Sequence, residues 1–406
     1  MNQTIYPIGI QNFESLRKDG YLYIDKTALI YQLVTTGRYY FLSRPRRFGK
    51  SLLLSTLEAY FQGKKELFEG LAMEKLEKDW IRYPILHLDL NAERYSDPGA
   101  LESILRRYLN LWEDLWGKDE REITPSDRFT GVIRRAYERT GRRVVILVDE
   151  YDKPLLQAIG NLELQEAYRS ILKAFYGVLK SMDGYIRLAF LTGVTKFGKV
   201  SVFSDLNNLM DLSMDERYVE ICGITEKEIH TYLEDELKEL ADTQDMTCEE
   251  TSRKLKDRYD GYHFVENSIG MYNPFSLLNT FARRKFGDYW FETGTPSYLV
   301  ELLKHTHYDL YEMANTETDA DVLNSIDSAS NNPIPVIYQS GYLTIKGYDP
   351  EFGIYRLGFP NKEVEEGFVK YLLPFYTSIQ ASKTPFEIGQ FVRELRSGNY
   401  DAVFPR

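Results

Sequence analysis

The chain has 406 residues, 43% of them hydrophobic and 27% charged, with a formal net charge of -11. This length predicts two or three separate cores. No stretch approaches the roughly 20 apolar residues that span a bilayer, and the N-terminus lacks a signal-peptide pattern, so we expect a cytoplasmic protein without membrane contact. The acidic balance disfavours adhesion of the whole chain to nucleic acid. Neither cysteine, Cys222 or Cys248, lies in a metal-ligand pattern.

Short apolar runs alternate with amphipathic stretches in the first half of the chain, as expected for parallel strands covered by helices. The apolar runs predict strands at 39–42, 85–88, 144–148 and 186–191. The amphipathic stretches predict helices at 51–61, 101–112 and 164–180. Four buried strands separated by helices indicate a doubly wound α/β core, which we assign to residues 1–220.

After about residue 220 the pattern becomes helical. Thr225 followed by Glu228 is typical of a capping box at a helix start. One helical face is then marked by Ile229, Leu233, Leu237 and Leu240, and further helices are predicted at 252–259, 274–286 and 297–303. We therefore predict a helical domain at 221–333, with the polar run 315–332 as a linker.

The last part of the chain predicts a small mixed module. A short helix-like entry near 334 precedes two β-type runs, at 342–345 and 354–357, and a helix at 361–373. That order is similar to a winged-helix module, and we assign residues 334–406 to it.

A phosphate-binding loop is predicted at Ser43–Ser51, between an apolar strand and a helix rich in leucine. The N-terminus of a helix presents unpaired N–H groups and a positive dipole to a phosphate. Gly49 lets the backbone approach closely, Lys50 supplies a charge for the β- and γ-phosphates, and the hydroxyl of Ser51 is suited to Mg²⁺. The alternative is a chance Gly-Lys-Ser at a helix start.

The loop departs from the usual glycine pattern, because Arg44 occupies the position of the first glycine. Three interpretations stay open for Arg46 and Arg47: they contact phosphate, they pair with Asp149 or Glu150, or they are a solvated pair.

Two acids end the apolar strand Val144–Val148. Asp149 is placed to approach Mg²⁺, usually through water, and Glu150 to orient or deprotonate the attacking water. The alternative is that both acids only begin a turn. A polar residue ending the next strand would sense the γ-phosphate, and Thr192 or Thr195 fits that role as well as it fits simple turn chemistry.

Six segments together resemble the bacterial AAA-ATPase-like family, and the resemblance covers almost the whole chain. The arginine-rich loop is its most specific element, and the segments are 23–27, 44–51, 148–152, 192–197, 206–209 and 259–262. By position the resemblance implies Mg²⁺ and water chemistry at Asp149 and Glu150, and an approach to the nucleotide by Asp25 and Lys26. It implies ATP contact along Pro45, Arg46, Arg47, Phe48, Gly49, Lys50 and Ser51. Segment 206–209 has no assigned role.

In that family the P-loop domain often precedes a nuclease-like domain of the PD-(D/E)XK type. Such a site would need an Asp and a later Glu/Asp-x-Lys on a strand, and the residues after Pro385 offer only a helix-like stretch and a short tail. We expect that domain to be absent and predict no nuclease activity for these residues.

The favoured hypothesis is an ATP-hydrolysing switch that passes its nucleotide state to an appended or separate effector. A nucleotide-binding scaffold with little turnover is the main alternative. A nucleic-acid-binding adaptor acting through residues 334–406 is the third, and an oligomer is compatible with each.

Overall fold

The computed structural model describes residues 4–92, 94–197, 208–293, 316–324 and 332–376, with 299, 302, 303 and 326. Its central element is a five-stranded sheet in which every pairing is parallel. The strands are β1 (Tyr39–Ser43), β2 (Ile85–Asp89), β3 (Val144–Asp149), β4 (Ile186–Gly193) and β5 (Met210–Asp211).

The sheet has the strand order β2-β3-β4-β1-β5, so β4 lies between the strand that enters the phosphate loop and the strand that ends in two acids. Every residue of β1 and of β3 is buried, as expected for strands covered on both faces. The predicted α/β core and its four strands are confirmed. The fifth strand has only two residues, too few for a periodic pattern in the sequence.

Helices cover both faces of this sheet. Three of them were predicted and extend a little beyond the predicted bounds, because caps and end turns carry no apolar period. They are α1 (Phe13–Lys18), α2 (Thr27–Thr36), α3 (Lys50–Phe61), α4 (Ala72–Leu76), α5 (Pro98–Trp116), α6 (Pro125–Thr140), α7 (Lys153–Gln157) and α8 (Leu162–Ser181).

A helical segment follows the sheet. The capping box at Thr225 is present, since its side chain accepts from the N–H of Glu228 and the Glu228 carboxylate accepts in return. The predicted apolar face is buried but is shared by two helices that meet at Leu233. The helices are α9 (Glu226–Tyr232), α10 (Glu234–Thr243), α11 (Cys248–Tyr259), α12 (Pro274–Arg283) and α13 (Tyr289–Glu292). Most of the predicted helix 297–303 lies outside the described residues.

The C-terminal part contains an antiparallel sheet of three strands in the order β6-β8-β7. Residues 317–324, predicted as linker, instead form its edge strand and a short helix. The winged-helix module is not confirmed, because this third strand comes from upstream of the predicted module. The elements are β6 (Glu317–Asp319), α14 (Ala320–Asn324), α15 (Ile334–Gln339), β7 (Thr344–Asp349), β8 (Ile354–Gly358) and α16 (Lys362–Tyr376).

One hydrophobic cluster joins the phosphate-loop side of the sheet to the C-terminal part. It includes Phe48 and Leu54 near the loop, Trp290 of α13, and Leu343 and Phe368 near the end of the described chain. The opposite face of the sheet packs against α5, α6 and α8. Among the described residues, none of the helices is both long enough and apolar enough to cross a membrane.

Candidate functional site

Three strand ends meet at one edge of the parallel sheet. Ser43, the last residue of β1, is in register with Gly193 of β4, and Leu191 of β4 is in register with Val148 of β3. The loop after β1 and the acids after β3 therefore flank the end of β4. Loops at the carboxyl ends of parallel strands are where α/β proteins bind ligands.

The loop after β1 contains two residues with left-handed backbone conformation. Arg47 has φ 65° and Gly49 has φ 97°, both in the left-handed region, and α3 begins at the next residue. Left-handed residues in such a turn bring successive N–H groups to one side, where they form a concavity for an anion. Glycine adopts this conformation without strain, which explains Gly49 at the helix start.

Lys50 is buried inside the loop and bonded to it. Its Nζ donates to the carbonyl of Arg44 at 3.0 Å and to that of Pro45 at 3.4 Å. The same Nζ lies 3.4 Å from Oε1 of Glu150, so the lysine joins the phosphate loop to the end of β3.

Two side chains of the loop are buried in the protein interior. Arg44 is 1% exposed, and its guanidinium carbon lies 3.9 Å from the ring centroid of Phe264. Its Nη1 donates a hydrogen bond to the carbonyl of Ser213. Burial lowers the pKa of Arg44 to about 10. Phe48 packs edge-to-face on Tyr262, with centroids 4.8 Å apart. Arg44, which stands where the usual pattern has a glycine, therefore has a structural role: it fixes the loop to the protein interior.

The acids after β3 have different environments. Asp149 is buried, and its Oδ1 accepts a 2.6 Å hydrogen bond from the hydroxyl of Thr192. Glu150 has φ 53° and turns its carboxylate toward Lys50. A left-handed glutamate is uncommon, and such residues cluster at functional sites.

A third carboxylate, Asp152, holds the loop after β4. It is fully buried and accepts from the N–H of Val194 and from both the N–H and the hydroxyl of Thr195, the last two at 2.6 Å. Burial raises the pKa of Asp152 to about 7, and the nearby Glu150 adds to the rise. This role of Asp152 was not predicted from the sequence.

A cavity of about 460 Å³ opens in front of the loop. Among the described residues that line it, the charged side chains are cationic except for Glu150. This balance suits a ligand with several negative charges. The lining also includes an N-terminal turn, at 7–11, and one face of α12. Its charged and polar residues are Gln11, Arg46, Arg47, Lys50, Ser51, Asn91, Glu150, Lys153 and Gln157.

Sequence comparison relates the chain to known proteins. The family model described as predicted AAA-ATPase matches residues 7–203. The "uncharacterized protein in vnfD 5'region" of Azotobacter chroococcum mcd 1 is 38% identical over 387 residues, which are 94% of this chain and 72% of that protein. The chain belongs to the predicted AAA-ATPase family. Membership indicates nucleotide binding, which the loop and cavity suit.

The matched ATPase region does not contain the whole cavity. Pro274, Phe275 and Leu278 of α12 line it from beyond residue 203, and the Arg47 guanidinium lies 5.0 Å from the ring centroid of Phe275. Sequence reasoning missed these residues, the turn at 7–11 and Lys153. Apolar and turn residues carry no motif, so only the folded chain shows their common position.

Several residues predicted for the ATPase site lie outside the cavity lining. The Asp25 carboxylate accepts from the N–H of Thr27 and the N–H of Ala72, so it ties α2 to α4. Lys26 donates to both carboxylate oxygens of Glu228. The N-terminal segment that lines the cavity is therefore 7–11 and not 23–27.

The predicted sensor threonines are also set back from the cavity. Thr192 and Thr195 are both fully buried and bonded to Asp149 and Asp152, whereas Val194 lines the cavity. Of the segment 206–209, residues 206 and 207 lie outside the described part of the chain.

The residues present fit a nucleotide-bound Mg²⁺ better than a protein-caged metal. In the described ranges no group of three His, Cys, Asp or Glu side chains could hold an ion. Mg²⁺ at phosphates needs only one or two protein ligands and keeps several waters. Ser51 lines the cavity. Asp149 is buried at the end of β3 and is not among the described residues of the lining, so its carboxylate would act on the ion through water.

Proposed function

We propose that this chain binds ATP with Mg²⁺ in the described cavity and hydrolyses it. The observation that carries the proposal is the meeting of Lys50 and Glu150, 3.4 Å apart, beside a loop with two left-handed residues. A cation, an array of backbone N–H groups and a carboxylate at one strand edge are the parts that phosphoryl transfer to water requires.

The phosphates would bind at the end of the cavity formed by the phosphate loop and the start of α3. Backbone N–H groups of the loop and the Lys50 ammonium would bind the β- and γ-phosphates, and Lys50 would give up its bonds to Arg44 and Pro45. When bound, Mg²⁺ would neutralise phosphate charge, with Ser51 as its direct protein contact and Asp149 acting through water. Thr192 fixes the Asp149 carboxylate through its 2.6 Å hydrogen bond.

Glu150 would orient or deprotonate the attacking water. Its carboxylate lines the cavity, and it can accept a proton once Lys50 has turned to phosphate. The ion pair with Lys50 neutralises the charge of this carboxylate. If the Lys50–Glu150 pair persists when nucleotide binds, Glu150 cannot act as a base. The pair would then favour the second candidate, a nucleotide-binding scaffold with little turnover.

The base end of the cavity would be the turn at 7–11 and α12. Pro7, Pro274 and Leu278 line both this cavity and a smaller, largely apolar one of about 100 Å³ beside it. Apolar walls suit the two faces of a purine, and the backbone of the turn offers polar groups for its edge. The nucleobase would thereby contact the helical segment as well as the sheet.

Nucleotide state would then reach an effector through the helical segment and the C-terminal part. The phosphate loop and the C-terminal part contribute to one hydrophobic cluster. A movement of the loop would therefore require side chains of the C-terminal part to repack. An appended or separate effector remains a proposal, as does assembly into an oligomer.

The test is Mg²⁺-dependent ATP binding and phosphate release by two variants. Lys50→Ala should weaken ATP binding about a hundredfold, because a charged contact to phosphate is lost. Glu150→Gln should bind ATP normally and lose turnover. Lys18→Ala, which removes an exposed lysine paired with Glu14, is the matched control.

The outcomes separate the candidates. Equal ATP binding by wild type and Lys50→Ala would refute the nucleotide site. Tight binding with no phosphate release above the Glu150→Gln background would refute hydrolysis and leave the scaffold.

A further inference from the structure

The back of the phosphate loop is held from outside the region that the family model matches. The indole Nε1–H of Trp290 donates to the carbonyl of Arg46 at 3.1 Å, and the N–H of Gly223 donates to the carbonyl of Phe48 at 3.1 Å. Both donors follow residue 203, where the match ends. Alternate carbonyls of the loop are thus fixed by a distant part of the chain.

The direction of these carbonyls sets the direction of the loop N–H groups. In a trans peptide the C=O and the following N–H point to opposite sides, and the described chain contains no cis peptide. With the Arg46 carbonyl held toward Trp290, the N–H of Arg47 faces away from the indole. The N–H of Gly49 is set in the same way by the bond to Gly223.

We propose that Trp290 is a positioning residue for the phosphate loop, which it holds with the Arg47 N–H available to an anion. This inference rests on the proposed function and deepens it, because it names what pre-forms the phosphate site. Without the indole bond, the Arg46–Arg47 peptide is free to rotate and present its carbonyl to the ligand. A carbonyl in that position repels phosphate oxygens.

Trp290 itself is fixed by the C-terminal part of the chain. It is fully buried, and its backbone N–H donates to Oε1 of Glu363 in α16 at 2.8 Å. The Glu363 oxygen also accepts from the hydroxyl of Ser276 in α12. The ring packs on Tyr342, with centroids 5.1 Å apart. Trp290 therefore links α16 to the phosphate loop, by its backbone N–H on one side and its indole N–H on the other.

A purely packing role for Trp290 makes different predictions from a positioning role. Trp290→Phe keeps an aromatic ring and removes the indole N–H. Trp116→Phe is the matched control, because the buried Trp116 indole N–H has no acceptor within the described ranges. Replacement of Trp290 by 3-benzothienylalanine, which keeps the bicyclic shape and lacks the N–H, serves if Trp290→Phe does not fold.

The first measurement is amide hydrogen exchange in the ligand-free protein. Trp290→Phe should loosen the loop and speed exchange of the Gly223 N–H, which donates to the Phe48 carbonyl, about fivefold, and should leave β3 unchanged. Trp116→Phe should change neither. Unaltered exchange of the Gly223 N–H in a folded Trp290 variant would overturn the proposal.

The second measurement is binding of ATP and of AMP, which lacks the β- and γ-phosphates. Trp290→Phe should weaken ATP binding about fivefold and leave AMP binding as in wild type. Equal weakening for both nucleotides would show a general packing defect and overturn the proposal. A wild type that does not bind ATP refutes the proposed function instead, and the exchange result still decides whether Trp290 holds the loop.

Discussion

The phosphate loop and the loop after β4 begin at the same sheet edge, where Ser43 pairs with Gly193, but they are held in opposite ways. The loop after β4 is held by Asp152, which follows β3 within the same α/β core. The phosphate loop is held by Gly223 and Trp290, more than 150 residues further along the chain. The loop after β4 is therefore held by residues of the α/β core, whereas the phosphate loop is held by residues of the C-terminal half of the chain.

Each loop also has a buried carboxylate behind it. Asp152 accepts hydrogen bonds directly from the loop after β4. Glu363 accepts from the backbone N–H of Trp290, and it is Trp290 that contacts the phosphate loop. Burial raises the pKa of both carboxyls to about 7. The two carboxylates differ in what they hold: Asp152 accepts from backbone N–H groups of the loop after β4, whereas Glu363 accepts from the tryptophan that bonds to the phosphate loop.

Removing Asp152 should have the largest effect, because it would leave three buried donors without an acceptor. We expect Asp152→Ala to lower the free energy of unfolding by about 4 kcal/mol, measured by urea denaturation. Asp97→Ala, which removes an exposed cap that accepts one N–H, should cost about 1 kcal/mol. Similar losses for the two variants would show that Asp152 does not hold the loop after β4.

Gly341 tests the other loop, because it packs on Pro45. Gly341 has φ 87°, and a Cβ there would lie 2.6 Å from Cβ of Pro45. Gly341→Ala should cost about 3 kcal/mol from strain and overpacking. Gly353→Ala, with φ 67° and nothing within 4 Å, should cost about 1 kcal/mol from strain alone. Equal losses of unfolding free energy for the two variants, measured in urea, would show that the backbone at Gly341 moves away from Pro45 without cost.

The pH dependence of stability gives the smallest effect. The pKa of Glu363 is raised from 4.5 to about 7, so between these values the folded chain binds more protons than the unfolded chain. Stability therefore falls as pH rises through this window and levels off above it. When the pH is raised from about 5 to about 8, the free energy of unfolding should fall less in Glu363→Gln than in wild type. Urea denaturation at the two pH values measures both changes.

Glu365→Gln is the control, because that glutamate is exposed on the same helix. It should follow the wild-type pH profile. If Glu363→Gln also follows it, the carboxyl of Glu363 does not titrate in this range.

Sequence patterns predicted the α/β core well, because strands covered on both faces must be continuously apolar, as in Val144–Asp149. The helix break at Leu233 and the edge strand Glu317–Asp319 were not predicted. Leu233 keeps the apolar period through the break, and the strand is three polar or acidic residues whose partner, β8, lies far along the chain. Pairing of that kind leaves no local pattern.

The candidate site was predicted where it is continuous in sequence and not where it is assembled from several segments. The loop and the acids could be found because a strand, a loop and a helix are adjacent in the chain. The role of Arg44 required the position of Phe264, and the role of Asp152 required the loop after β4. Such contacts depend on packing between remote segments, which one sequence does not record.

The indole bond to Arg46 also makes the protein its own fluorescent reporter. The chain has four tryptophans. Trp80 packs on Tyr60 and Phe68, and Trp112 and Trp116 pack on the opposite face of the sheet. Indole emission depends on the hydrogen bonding and polarity around the ring. Light emitted by Trp290 therefore records how the loop backbone sits, without any attached dye.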